Sequence, residues 1–263
     1  MKQSFLFVIA FSALVSAQRG GPPAQEPKAV APIDLTGYWV SIVSEDWRYR
    51  MVTPTRGDYQ GVPMTPDAVK IADAWNPDAD TRAGNQCKSY GAAAIMRVPG
   101  RVHITWDDDR TLKLEADAGT QTRIFRFSPA AAKSEPSWQG ESIAQWETPG
   151  GGRGGGRGRA DGGGGRVGGG RGGPNTPQTG ALKVVTTNLK AGYLRKNGVP
   201  HSEDATVTEY FDLATERNGD VLLVVTSIVD DPTYLRQPFI VSSQFKKQPD
   251  VKGWDPTPCS STW

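Results

Sequence analysis

The stretch RVHITWDDDRTLKLEADAGTQTRIFRF, residues 101–127, decides the fold class of this chain. Apolar and polar side chains alternate in two successive runs, first from Val102 to Trp106 and then from Leu112 to Ala116. A period of two residues is typical of strands that bury one face. The letters DDDR and AGT supply turn residues after these runs, so the stretch predicts a three-stranded antiparallel meander.

The same alternation recurs on both sides of the meander. Asn218-Gly219 separates two of the outer runs and is a typical turn of a β-hairpin. Only residues 65–77 have a helical pattern, with Thr65 as the cap and Pro66 in the first turn. About ten strands and one short helix predict an all-β fold, a single antiparallel up-and-down barrel, with a β-sandwich as the alternative. The outer strands are predicted at residues 35–43, 48–53, 142–148, 182–189, 206–214, 221–229 and 239–245.

The N-terminal letters MKQSFLFVIAFSALVSA form the pattern of an export signal. One lysine precedes an apolar run, and the small-x-small end VSA follows it. We therefore interpret residues 1–17 as a secretory signal peptide that is cleaved after Ala17. The apolar run is too short for a permanent membrane span. The sequence thus predicts a periplasmic or extracellular protein with a linker at 18–32 and one domain at 33–263.

Cys87 and Cys259 are the only two cysteines of the chain. In an oxidising compartment, two cysteines usually form one disulfide. Neither lies in a spacing that is typical of a metal site, so we expect no metal there. A Cys87–Cys259 bridge would close most of the mature chain into one loop; two free thiols are the alternative.

A tract rich in glycine and arginine, residues 149–180, interrupts the predicted domain. Its central part, 150–173, carries five Arg and one Asp, which leaves a charge of −2 for the rest of a chain whose formal charge is +2. The rest of the chain therefore lacks the basic surface of a nucleic-acid-binding protein, and we expect no nucleic-acid partner. The tract has almost no apolar side chains, so it is predicted to be a disordered loop between two neighbouring strands.

Several blocks of the sequence resemble a broad group of secreted bacterial proteins of unknown function. The blocks are PSWQGESIAQWE, LKVVTTN, YLRKNGVPHSEDATVTEYF and DPTYLRQPF. The resemblance covers about residues 33–259 and implies export and an all-β, lipocalin-like shape. It implies no activity. This chain departs from the group by carrying the glycine-rich tract where the group has a tight connection.

Aromatic residues on and beside the predicted strands indicate a site for a small molecule. Small barrels whose cavities combine aromatic walls with a few polar groups commonly bind such ligands, and arginines beside them can contact an acidic or hydroxylated head group. We therefore predict an exported protein that binds a small hydrophobic ligand, apolar or aromatic, in a barrel cavity. The candidate ligand-binding residues are Trp47, Arg48, Arg50, Trp106, Arg123, Trp146 and Tyr210.

The two histidines support the alternative that the chain is an exported hydrolase or isomerase. His201, with Glu203 nearby, or His103 can act as a base if it pairs with a carboxylate. Each also has a structural interpretation, because His201 can pack over a strand end and His103 can face solvent. No nucleophile motif, metal-ligand spacing or cofactor motif is present, so no cofactor is predicted. A cell-envelope scaffold is a further alternative, and the sequence leaves the oligomeric state open.

Overall fold

The computed structural model of this protein describes residues 25–129, 134–148 and 180–262. The predicted signal peptide and nearly all of the predicted glycine-rich loop lie outside these residues. Within these described residues, nine strands form a closed barrel, and two further strands of two residues each form a separate small sheet. The strands are β1 (Gly37–Ile42), β2 (Arg101–Asp108), β3 (Thr111–Ala116), β4 (Gln121–Arg126), β5 (Glu141–Glu147), β6 (Ala181–Thr187), β7 (Gly192–Tyr193), β8 (Pro200–His201), β9 (Thr206–Thr215), β10 (Val221–Asp230) and β11 (Phe239–Gln248).

The barrel follows the order β1-β11-β10-β9-β6-β5-β4-β3-β2, and β2 pairs with β1 to close it. The predicted meander is present as β2, β3 and β4, because Val102 pairs with Ala116 and Leu114 pairs with Arg123. The Asn218-Gly219 turn joins β9 to β10 as expected. The all-β class and the single barrel are therefore confirmed.

One pair of neighbouring strands, β4 and β5, runs parallel rather than antiparallel, with Phe125 beside Ser142. A parallel pair requires the chain to return before the second strand starts. At Gln139 the chain is back beside the beginning of β4, because the side-chain amide of Gln139 donates to the Gln121 side chain at 2.8 Å. The next pair, β5 and β6, is antiparallel with Glu147 opposite Ala181. The strands on either side of the glycine-rich tract are thus neighbours, as the sequence predicts.

A cap, formed by residues 43–100 and 188–205, covers one end of the barrel. It contains the sheet of β7 and β8 and the helices α1 (Trp47–Arg50), α2 (Pro66–Asp73) and α3 (Pro77–Arg82). Its apolar side chains form one core with residues from the ends of β9, β10 and β11, among them Val207, Val229 and Phe239. The cap and the barrel are therefore packed as one unit.

The predicted disulfide is present. Cys87, in a 3₁₀ turn of the cap, is bonded to Cys259 near the C-terminus. The C-terminal segment is also held by its backbone, since the Thr257 amide donates to the Asp117 carbonyl at 3.0 Å. The bridge therefore fastens the cap to a segment that already lies along the barrel.

The cap contains the main differences from the sequence prediction. Residues 48–53, predicted as a strand, form α1 and an irregular turn. The alternation there is misleading because Arg50 is the buried residue, while Met51 and Val52 are 54% and 55% exposed. The single helix predicted at 65–77 is capped by Thr65 as expected, begins at Pro66 and ends at Asp73.

A further helix, α3, begins at the end of this predicted range, at residues that the prediction assigned to the first helix. Asn76 accepts a hydrogen bond from the Ala79 amide at 3.0 Å, and Pro77 is the first helical residue. This is the usual start of a helix, since proline lacks the amide hydrogen that would be unpaired there. Residues 25–32, predicted as linker, lie against the barrel at the end opposite the cap.

Gly198 is expected to tolerate no side chain. It has a φ of +81°, and a Cβ built on it would lie 2.3 Å from the Cβ and Cγ of Trp75. Gly198→Ala should lower the free energy of unfolding by about 2–3 kcal/mol, because overpacking adds to backbone strain. Gly57→Ala is the control: φ is +88° and nothing lies within 4 Å, so only the strain of about 1 kcal/mol remains. Equal losses in urea denaturation would contradict this explanation.

Candidate functional site

Side chains fill the interior of the barrel. Trp39, Phe125, Phe211, Leu182 and Phe245 point inwards from five different strands, and none is more than 1% exposed. A side chain beside a void large enough for water would keep accessible surface. The described residues therefore leave no ligand-sized cavity inside the barrel, and a ligand has to bind at an end or on the outside.

A polar group in this interior consists of an ion pair and three hydroxyl side chains. Arg123, a candidate ligand residue, donates through Nη1 to Glu209 Oε1 at 3.0 Å, and Nη2 donates to Glu209 and to Thr186. Ser142 bonds Thr186 at 2.7 Å, and Ser227 donates to Glu209 at 3.5 Å. Arg123 and Glu209 are 1% and 0% exposed. The pair is out of reach of a ligand.

Three aromatic side chains meet at the end of the barrel that the cap leaves uncovered. Trp106 of β2, Phe127 after β4 and Trp146 of β5 lie with ring centroids 5.4–6.4 Å apart. All three are half-buried and pack against the barrel core. We call them the aromatic end. The structure thus brings together two of the predicted ligand residues, Trp106 and Trp146, and adds Phe127.

The N-terminal strap, residues 25–34, crosses this aromatic end. Trp146 donates its indole hydrogen to the carbonyl of Pro27 at 2.8 Å, and Glu26 pairs with Arg110. Two cavities of about 220 and 230 Å³ open beside the strap. One is lined by strap residues and Trp106, the other by strap residues, Arg110 and Phe127. Aromatic surface is therefore accessible next to both edges of the strap.

A second pocket lies within the cap and is lined by buried cations. Arg50, predicted from the sequence, is joined there by Arg97 and Arg195, and Lys196 forms another part of the wall. Burial, together with the nearby charge of Arg195, lowers the pKa of Arg97 to about 10. We call this site the arginine pocket. Arg97 and Arg195 could not be recognised as pocket residues from the sequence, because a single arginine in a loop is usually a surface residue.

His103 lies on the outer face of the barrel. Its ring stacks on Tyr38 with centroids 3.9 Å apart, and Nδ1 is 3.5 Å from Glu115 Oε2. The inner face of β2 carries Val102 and Ile104, so the solvent-facing interpretation of His103 is the one that the structure supports. The imidazole and the carboxylate meet on a convex surface.

His201 is buried in the cap. Its Nδ1 lies 3.0 Å from the carbonyl oxygen of Ser202, and burial lowers the pKa of the imidazole. Asp231 bonds the amide and the hydroxyl of Ser202 instead of the histidine. Glu203 is exposed. Although His201 lines a cavity of about 140 Å³ with Tyr193, the hydrogen bonds here give it no carboxylate partner among the described residues.

The remaining candidates lie apart from both sites. Trp47 is 63% exposed on α1, and Arg48 forms an ion pair with Asp58 at the surface. Tyr210 lies on the outer side of β9, with the Lys183 ammonium 5.6 Å from its ring centroid. Neighbouring residues of a helix point to different sides. On α1, Arg50 therefore points into the cap while Trp47 and Arg48 do not.

Comparisons with protein-family models, with curated proteins and with solved structures gave no match. In the part of the chain that the structure describes, no helix is both long and apolar enough to cross a bilayer. The same residues contain no group of three or more His, Cys, Asp and Glu side chains placed to hold a metal ion.

Proposed function

We propose that this chain is an exported protein that binds a small apolar or aromatic molecule at the aromatic end of its barrel. One observation carries the proposal: three aromatic side chains from different parts of the sheet converge beside two cavities of 220–230 Å³. Export is supported by the N-terminal pattern and by the disulfide, which persists in oxidising compartments. The resemblance to secreted bacterial proteins agrees with export and adds no activity.

The chemistry of the aromatic end suits a ligand that has one or two rings. Half-exposed aromatic rings still bury surface when a flat molecule stacks on them, and an aromatic pair adds about 0.5–1.5 kcal/mol beyond that burial. The indole hydrogen of Trp146 is already bonded to Pro27, so binding leaves no polar group unpaired. The proposed ligand therefore needs few polar atoms where it meets the rings.

The charged side chains of the strap can move when such a ligand binds, because their ion pairs lie at the protein surface. Lys28 and Asp109 are 3.7 Å apart and both are exposed, and Glu26 and Arg110 also pair in solvent. Ion pairs of this kind contribute little to stability. We therefore propose that the charged side chains of the strap, Glu26 and Lys28, move aside when a ligand larger than either cavity binds, while the bond from Trp146 to Pro27 persists.

Trp146→Ala and Trp106→Ala are expected to weaken binding of a neutral fluorescent probe, N-phenyl-1-naphthylamine, by about tenfold or more, as truncation of aromatic anchors usually does. The probe is titrated into the purified mature chain and its emission is followed. Trp254→Ala is the matched control, since Trp254 lies on the outer face against Tyr38. A wild-type chain that shows no saturable binding, or a control that loses as much affinity, would contradict the proposal.

A further inference from the structure

The arginine pocket holds more positive charge than the nearby carboxylates neutralise. Arg50, Arg97 and Arg195 are each at most 6% exposed. Among the described residues, only Arg97 has a carboxylate in contact, Asp46 at 2.9 Å, and that side chain is partly exposed at the rim. Asp46 also acts at longer range on Arg50 and Arg195, and Glu45 acts on Arg50. Asp58 is paired with Arg48. Buried charges are normally paired, because an isolated charge loses its hydration.

Several hydrogen-bond donors of these arginines are buried without a protein acceptor. Both terminal nitrogens of Arg50, Nη1 of Arg97 and Nε of Arg195 have none among the residues that the structure describes. Together they offer four N–H bonds from Arg50, two from Arg97 and one from Arg195. An acceptor with several oxygen atoms is needed to use them all.

Other contacts keep the three guanidinium groups in place. Arg50 Nε donates to the Arg97 carbonyl at 2.8 Å, and Arg195 Nη1 donates to the Gln60 carbonyl at 2.8 Å. The Arg195 guanidinium carbon lies 4.1 Å from the centroid of the Tyr49 ring. Each arginine is thus anchored through one part of its fork while another part remains unpaired. Such preorganisation lowers the entropy cost of binding.

The size of the pocket limits what can enter it. The cavity is about 20 Å³, the space of about one water molecule, and it opens to solvent through a mouth. Apolar walls from Ala94, Val98 and Leu194 surround the cations. An oxyanion therefore reaches the unpaired donors only when the side chains that line the mouth move apart, and the mouth leaves room for the remainder of a small molecule.

We infer that the arginine pocket is a binding site for a doubly charged oxyanion, either inorganic phosphate or the phosphate group of a small phosphate monoester. Such a group supplies two negative charges and enough oxygen lone pairs for the unpaired donors, and guanidinium forks match its geometry. A carboxylate supplies one charge and two oxygens and fits less well. The site lies at the cap, so it is separate from the aromatic end.

The test uses calorimetric titration of the mature chain with inorganic phosphate, sulfate and acetate at constant ionic strength near neutral pH. We expect saturable 1:1 binding of phosphate and sulfate and much weaker binding of acetate. Arg50→Met should weaken phosphate binding by about tenfold or more, since hydrogen bonds to charged groups are strong. Arg82→Met is the matched control, because Arg82 is an exposed residue of α3 outside the pocket. It should keep the wild-type affinity.

Three outcomes would overturn the inference: no saturable phosphate binding to the wild-type chain, tighter binding of acetate than of phosphate, or equal weakening by Arg50→Met and Arg82→Met. If Arg50→Met does not fold, Arg195→Met removes a donor from another loop and carries the same expectation. Binding of the neutral naphthylamine probe should be unchanged in Arg50→Met. Failure of the anion site and failure of the aromatic site are therefore distinguishable.

Discussion

Arg123→Met is expected to lower the free energy of unfolding by about 3–5 kcal/mol, the usual cost of breaking one buried ion pair. The substitution leaves the carboxylate of Glu209, which is 0% exposed, without its cationic partner inside a packed barrel. Ser227 is its only other side-chain contact among the bonds described above, and at 3.5 Å that bond is weak. The remaining charge cannot reach water unless the barrel opens.

The double variant Arg123→Met/Glu209→Met separates this effect from a loss of packing. Both charges are then absent, and well-packed apolar replacements of buried pairs are often neutral or stabilising. We expect the double variant to be clearly more stable than Arg123→Met alone in urea denaturation. Lys113→Met is the surface control: its pair with Glu115 is partly exposed, so its loss should cost less than about 1 kcal/mol. If the double variant is as unstable as the single one, the ion pair does not explain the loss.

Removal of the disulfide by Cys87→Ser/Cys259→Ser should destabilise the protein by up to about 5 kcal/mol. The two cysteines are 172 residues apart in sequence, so the bridge restricts a very long loop in the unfolded chain. The native contacts should survive, because the hydrogen bond from Thr257 to Asp117 and that from Thr120 to Thr257 do not involve sulfur.

The measurement compares urea midpoints with and without a reductant. Reductant should lower the midpoint of the wild-type chain and should leave the double serine variant unchanged, which controls for effects of the reductant elsewhere. A wild-type midpoint that does not move on reduction would show that the bridge contributes little to stability.

The barrel was predictable from the sequence because its signal is local. In β2 and β3, every second residue faces the core, so Val102, Ile104, Leu112 and Leu114 reveal the strands without knowledge of their partners. The disulfide was predictable for a different reason, since two cysteines leave only one pairing within the chain. Both inferences use only residue type and spacing.

The cap was not predictable in the same way. Ala92 and Ala93 are buried by elements distant in sequence, and no periodicity marks them. The convergence of Arg50, Arg97 and Arg195 depends on how three separate segments pack. The alternation of residues 48–53 favoured a strand. In the structure these residues form α1 and a turn instead, and Arg50 is the side chain that is buried.

The contact between the strap and Trp146 could not be predicted because the strap supplies a backbone group to it. Residues 25–32 are rich in proline and polar side chains, a composition typical of linkers. The bond to Trp146 is accepted by the Pro27 carbonyl, a group that every residue has. Composition therefore cannot distinguish this strap from a free linker, whereas Trp106 and Trp146 were identifiable as aromatic residues on strands.

The pairing of Glu147 with Ala181 has an evolutionary consequence. The backbone leaves β5 and re-enters β6 at directly opposed positions, so no ladder hydrogen bond depends on what lies between them. Each doubling of such a connection costs only about 0.6 kcal/mol in closure entropy. Selection on the fold is therefore expected to restrain the length of this connection only weakly.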